Sequence, residues 1–168
     1  MAPEPKNPPT RQQHRSPTSP PLDEVDRAIL RVLARDSRQP NSSIAEQVGI
    51  APSTCHGRIS ALRERGVIRG FHTEIDLAAL GLGLQALIAV RLSSHTRSQI
   101  DVFVRDISTR SGVVSVFHVA GVDDYLLHVA MPDSNALRDF VLDHLTSHPA
   151  VQHTETSLIF ERRYGPVF

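Results

Sequence analysis

An α+β protein in two parts is what this sequence predicts, and three observations carry the prediction. Between residues 22 and 65, apolar residues recur at helical spacing and are interrupted by capping residues and short breaks. From residue 84 to 163, beyond Gly81 and Gly83, apolar runs of strand length and helical stripes follow one another in the order β-α-β-β-α-β. Ahead of both, residues 1–21 carry seven prolines among polar side chains. They cannot bury enough apolar surface to repay ordering, so they read as a disordered tail outside the fold.

The first part, residues 22–75, opens with Asp23, a good N-cap, and Asp26 suits the positive end of a helix. Val25, Ile29, Val32 and Leu33 form one apolar stripe of a helix ending near Arg35, and Asp36–Pro40 breaks it. A short second helix starts at Asn41 or Ser42, buries Ile44, Ala45 and Val48, and stops at Gly49, a residue suited to a left-handed C-cap. A third helix, 52–65, has Pro52 in its first turn, Cys55, Ile59 and Leu62 on one face, and Gly66 as its stop. Two helices around a tight glycine turn, the second bearing small polar and basic residues, make a helix-turn-helix. Val67–Ile75 reads as two short strands around a turn, the wing.

Residues 76–83 read as a hinge. Beyond it lie strand Leu84–Ser93, a helix with Ile100, Phe103, Val104 and Ile107 inward, and strands Val113–Ala120 and Tyr125–Met131. A helix capped by Asp133 or Ser134 follows, with Leu137, Phe140, Val141 and Leu145 inward, and Val151–Arg162 closes the set. That order over 84–163 is the ferredoxin-like arrangement, an antiparallel sheet with both helices on one face; 164–168 is a C-terminal tail. Ile88, Val90, Val116, Val129 and their neighbours exceed what one covered face needs, which predicts an open apolar face and dimers formed sheet to sheet.

Formal net charge is +0, but the distribution is uneven: residues 1–21 and 22–75 are net basic, while 76–168 hold seven Arg against ten acids. A basic stretch at 53–70 beside an acidic domain points to a polyanion partner at one end of the molecule. A single cysteine excludes an internal disulfide framework. No apolar run reaches the roughly 18 residues of a membrane span. The tail lacks the apolar core of a signal peptide, so the expectation is a cytoplasmic protein with no membrane partner.

In the third helix Ser53, Thr54, His56, Gly57 and Ser60 fall away from the buried stripe, and residues near the start of such a helix reach base edges in the major groove. Gly57 in mid-helix serves either close approach to DNA or tight packing on the first helix. Arg63, Arg65 and Arg69 are phosphate candidates or members of a solvated face. Cys55 and His56 are helical neighbours about 100° apart and do not form a nucleophile pair. His144 and His148 stand at i, i+4 with His153 nearby, short of the four ligands zinc takes, so neither metal nor cofactor is expected. Gly121-Val122-Asp123-Asp124 is a hairpin turn whose glycine allows close backbone approach and whose carboxylates suit an α-ammonium group. His118 either flanks that loop or faces solvent.

Leu22–Leu30, Ile44–Ile50, and Arg58-Ile59 and Leu62 through Gly66–Phe71, together with Gly121–Tyr125, resemble the Lrp/AsnC family over about residues 22–163. The resemblance implies a winged-helix DNA reader and a dimer built through the ferredoxin-like domain, often in a ring of four dimers. It further implies an amino acid or related metabolite held between dimers near Gly121–Asp124, with Asp124 as the aligned acid and Thr154 and Thr156 in the pocket. Arg58 matches the family's arginine and is expected on a phosphate or a guanine edge. The family usually has a serine capping the recognition helix where this chain has Ala51.

The function expected is a DNA-binding transcription regulator without enzymatic activity, taking double-stranded DNA and a small effector as partners. An architectural DNA organiser and a ferredoxin-like enzyme are the alternatives. The enzyme leaves residues 22–75 unexplained and has no convincing nucleophile–base pair or metal set.

Overall fold

The computed structural model describes residues 21–93 and 96–165. The expected tail, apart from Pro21, and the last three residues lie outside the described residues. The chain divides into two compact units, one ending at Thr73 and the next beginning at Glu74.

The N-terminal unit is three helices: α1 (Glu24–Arg35), α2 (Asn41–Val48) and α3 (Pro52–Glu64). Asp23 caps α1 by accepting the Asp26 N–H at 2.8 Å. Gly49, at φ 77°, ends α2, and its N–H bonds the carbonyls of Ala45 and Glu46. Ile50 N–H also donates to Ala45, so the chain turns into α3 within three residues. Asn41 Nδ2 donates to the Pro52 carbonyl at 2.7 Å, fastening the start of α2 to the start of α3. Ala51 gives α3 no side-chain cap. Ile29, Leu33, Ile44, Ala45, Cys55 and Leu62 make the buried core, with Val25, Val32, Val48 and Ile59 partly buried around it. The wing differs from expectation. Residues 67–76 form no strand, and Val67, Phe71 and Ile75 are exposed. Val67–Ile75 reads in the sequence as two short strands around a turn, but strand identity depends on a partner for the ladder, and none is there among the described residues.

The C-terminal unit is a four-stranded antiparallel sheet in the order β2-β3-β1-β4, formed by β1 (Leu84–Leu92), β2 (Val113–His118), β3 (Tyr125–Met131) and β4 (Val151–Ile159). Its helices are α4 (Arg97–Ile107) and α5 (Ser134–Val141), the latter extended by a π-helical turn, Leu142–Thr146. Asp133 caps α5 through the Ala136 N–H at 2.9 Å. Ala86, Ile88, Val90 and Leu92 of β1 and Tyr125, Leu127, Val129 and Met131 of β3 share one core with Phe103, Ile107, Leu137, Phe140 and Leu145 from the helical segments.

This corrects the expected make-up of the open face. Ile88, Val90 and Val129 lie fully buried in that core, and Val116, opposite Leu127, packs against it. A period of two sorts residues onto two faces without saying which face the helices take. The other face carries Leu87 opposite His128, Ala89 opposite Leu126 and Phe117 opposite Leu126. Leu87, Phe117, Leu126 and His128 line a broad groove whose lining continues onto Phe160–Arg163. His128 is buried there, Nε2 lying 2.9 Å from Gln85 Oε1.

Candidate functional site

Two surfaces carry the residues singled out by the sequence, one in each unit. In the N-terminal unit, burial of Cys55 and Leu62 fixes the roll of α3 about its axis. Ser53, Thr54, His56 and Gly57 are then exposed, Ser60 is half-buried, and Arg63 and Arg69 are exposed. The exposed face of α3 therefore offers hydroxyls and an imidazole, groups that donate and accept, beside two outward cations. Such a surface suits base edges flanked by phosphates.

Gly57 does not serve packing. A Cβ built there meets nothing within 4 Å. Arg58 turns away from the outward face. Its Nη1 donates to Asp23 Oδ2 at 2.5 Å and to Asp26 Oδ1 at 3.0 Å. Arg65 reaches the other Asp26 oxygen at 3.7 Å. The start of α1 and the length of α3 are thus cross-braced by two carboxylates and two guanidiniums. The Asp26 N–H and then Arg58 hold the Asp23 carboxyl below its ordinary value, and Asp23 and Asp26 push the Arg58 guanidinium up. Asp23 and Asp26 were missing from the residues picked out for this surface. Their capping role is legible locally, but Arg58, the partner they share, lies 32 to 35 residues away.

In the C-terminal unit the β2–β3 turn is bound to the end of β1. Asp124 N–H donates to the Val90 carbonyl at 3.0 Å, and Asp124 Oδ2 accepts the Leu92 N–H at 2.8 Å. Arg91 Nε donates to the Val122 carbonyl at 2.9 Å, and its Nη2 lies 3.4 Å from Asp123 Oδ1. Both carboxylates read as ammonium ligands therefore have structural partners in the chain. Asp124 occupies the Leu92 N–H where the β1–β4 register slips, between Arg91 and Leu92. Arg91 carries no local signal of this role, because its partners lie 31 and 32 positions on. Gly121, at φ 147°, takes a conformation closed to most side chains, and Val122 is 74% exposed at the tip.

His118 stacks on Tyr125, ring centres 4.8 Å apart, at the end of β2. Burial, then the Asp101 and Asp124 carboxylates, raise the Tyr125 phenol. Thr154 and Thr156 sit opposite Val90 and Ile88 on β4, the far edge of the sheet. Three strand spacings, about 14 Å, separate the β2 and β4 edges. One chain does not bring His118 and the two threonines into one pocket. Among the described residues no three His, Cys, Asp or Glu side chains are grouped to hold a metal, and no helix is long and apolar enough to cross a membrane.

Comparison with known proteins adds the following. Residues 22–69 match a family profile described as winged helix-turn-helix DNA-binding, and residues 85–165 match one described as Lrp/AsnC ligand binding domain. The chain is 55% identical over 144 residues to the HTH-type transcriptional regulator AldR of Mycolicibacterium smegmatis, covering 86% of this chain and 84% of the relative. It is 35% identical over 138 residues to the transcriptional regulator AzlB of Bacillus subtilis, covering 82% and 88%. The crystal structure of MtbAldR superposes with a TM-score of 0.71 at 47% identity, over 86% of this chain and 96% of that one. A Neisseria meningitidis transcriptional regulator solved as a complex with L-Met superposes with a TM-score of 0.81 at 32% identity, over 88% and 95%.

Proposed function

The chain belongs to the Lrp/AsnC family of transcriptional regulators, and from that premise we propose how its own residues do the work. It is a DNA-binding regulator modulated by a small effector, and it carries out no chemistry. Its DNA contacts come from α3: Ser53, Thr54, His56, Gly57 and Ser60 toward the bases, Arg63 and Arg69 toward phosphates. Arg58 and Arg65 act mainly by holding α3 on α1. The observation that carries this reading is the roll of α3, whose buried Cys55–Leu62 side commits the opposite, polar side to the outside.

The effector is an amino acid, the class of ligand in the Neisseria meningitidis relative's complex. It binds where the Gly121–Asp124 turn of one dimer meets another dimer. Support comes from the separation of His118 from Thr154 and Thr156 on opposite edges of the sheet, which leaves each chain with part of a pocket. Two copies join through the open sheet face around Leu87, Phe117 and Leu126, and dimers join into a larger ring. An amino acid at the dimer–dimer junction then shifts the assembly equilibrium and, with it, the spacing of the α3 pairs along a duplex.

The test has two parts. Selection from a random duplex library, followed by anisotropy titration, is expected to yield a specific site with two half-sites about 34–36 Å apart. Thermal melts of the full chain against each common amino acid are expected to show a rise in Tm for a ligand of the native state. A library that enriches no sequence contradicts the DNA assignment. Melts unmoved by every amino acid contradict the effector assignment.

A further inference from the structure

Gly57 has no task inside the fold. It lies in the middle of α3, where glycine is the poorest choice short of proline. Its φ is not among the positive ones, so no left-handed backbone demands it. A Cβ at this position meets nothing within 4 Å, so no close packing demands it either.

Its position on the helix is more telling. At about 100° per residue, Gly57 stands about 200° around α3 from Cys55, the buried residue, and so crowns the outward face. Arg58, the next residue, is directed back at Asp23 and Asp26. Gly57 and Ser53 flank the line opposite Cys55, so at Gly57 the outward face of α3 is bare backbone. A Cα lies about 2.3 Å from the helix axis and its own surface about 4 Å, whereas a helix with its side chains has a radius of about 5–6 Å, so at Gly57 a facing surface can come about 1–2 Å closer. The major groove is about 12 Å wide and a helix about 10–12 Å across, so that difference decides how deep the helix sits.

We propose that Gly57 is a specificity-determining position: its bare crown sets the depth of α3 in the major groove, and that depth is what brings Ser53 and His56 to the base edges. The proposal rests on the assignment of α3 as the DNA-reading helix. It predicts that fold and recognition respond to the same substitution in opposite directions.

The experiment uses the full chain. The wild type selects its site from a random duplex library, and wild type, Gly57→Ala and Gly57→Gln are then compared by thermal melting and by anisotropy on that site and on an unrelated duplex. Gly57→Ala is expected to raise Tm by about 2–6 °C through helix propensity alone. The same variant is expected to bind the selected site at least about tenfold more weakly, and Gly57→Gln weaker again, with binding to the unrelated duplex changed by no more than about twofold, because phosphate contacts carry that term. Either variant holding wild-type affinity for the selected site overturns the proposal. So does an equal loss on both duplexes, which reports general loss of binding and not depth. If the wild type itself enriches no sequence, the DNA assignment fails first, and the proposal falls with it.

Discussion

Among the described residues, six apolar side chains make the buried core of the N-terminal unit and fourteen that of the C-terminal unit. The smaller unit compensates with charge: Asp23 and Asp26 at the start of α1 hold Arg58 and Arg65 of the third helix and its end. In the larger unit Arg91 and Asp124 secure the β2–β3 turn, Asp133 caps α5, and His128 pairs with Gln85 across β3 and β1. The surfaces are opposed in the same sense. The N-terminal unit presents a polar helix face, while the C-terminal unit presents Leu87 and Phe117 on an open sheet face, 37% and 51% exposed. A surface that meets phosphates and base edges must stay polar, and one that meets a second copy must stay apolar. On the proposed reading, the two units differ because their partners do.

The largest effect is expected where the apolar surface is spoiled. Phe117→Asp puts a carboxylate on the open sheet face at an exposed position and is expected to leave the folded chain intact and dissociate the proposed dimer. Loss of the linked second half-site is expected to lower operator affinity by about 10²–10⁴-fold. Sedimentation velocity checks the first result and anisotropy the second; a dimer that survives places the interface elsewhere. Phe103→Ala, which empties the centre of the C-terminal core, is expected to cost about 3–5 kcal/mol in denaturant unfolding. The buried core of the N-terminal unit holds no aromatic ring, and its largest truncations, such as Leu62→Ala, are expected to cost about 2–5 kcal/mol. Its most damaging polar change is Asp26→Ala, which leaves Arg58 and Arg65 short of a buried acceptor and is expected to cost about 1–3 kcal/mol. Hydrogen exchange should show that loss in α1 and α3 and leave the sheet protected.

Acid separates the units further. Burial first, and the Arg162 charge second, hold His128 below its ordinary 6.5, so the fold keeps the neutral ring. That contribution is complete above pH 6.5 and is lost as pH falls through the lower folded value. The Asp26 N–H and then Arg58 hold Asp23 below its ordinary 3.8. Its contribution is complete above pH 3.8 and fades only as pH falls further. Hydrogen exchange along a descending pH series is therefore expected to show β3 loosening before the start of α1. The reverse order contradicts the comparison. The smallest effect belongs to Arg69→Ala, expected to leave stability and sequence preference alone and to reduce the salt dependence of DNA binding by about one unit of slope.

The same contrast explains what could be read in the sequence. Local signals were legible: the Asp23 cap, the Gly49 stop, and Tyr125–Met131 as a strand bounded by a turn and by Asp133. Signals that depend on distant partners were not. Val67–Ile75 reads as two short strands around a turn, yet a strand exists only where another pairs with it. Arg58 was expected on a phosphate or a guanine edge, and its bonds to Asp23 and Asp26, more than thirty positions away, had no local signal. Period-two alternation separated Ile88 and Val90 from Leu87 and Ala89, but only the helices decide which set is buried. Gly57 was legible as an anomaly; the empty space around it shows that packing is not its cause.

The central claim is that the polar side of α3 enters a groove while the sheet faces hold two copies in fixed register. A hydroxyl-radical footprint of the wild type and of the Ser53→Ala, His56→Ala double variant on the selected duplex tests it most directly. Two protected tracts on one side of the duplex, about one helical turn apart, are predicted for the wild type, with both tracts fading in the variant. Protection without that spacing, or protection the variant leaves untouched, would show that some other surface of the molecule grips the DNA.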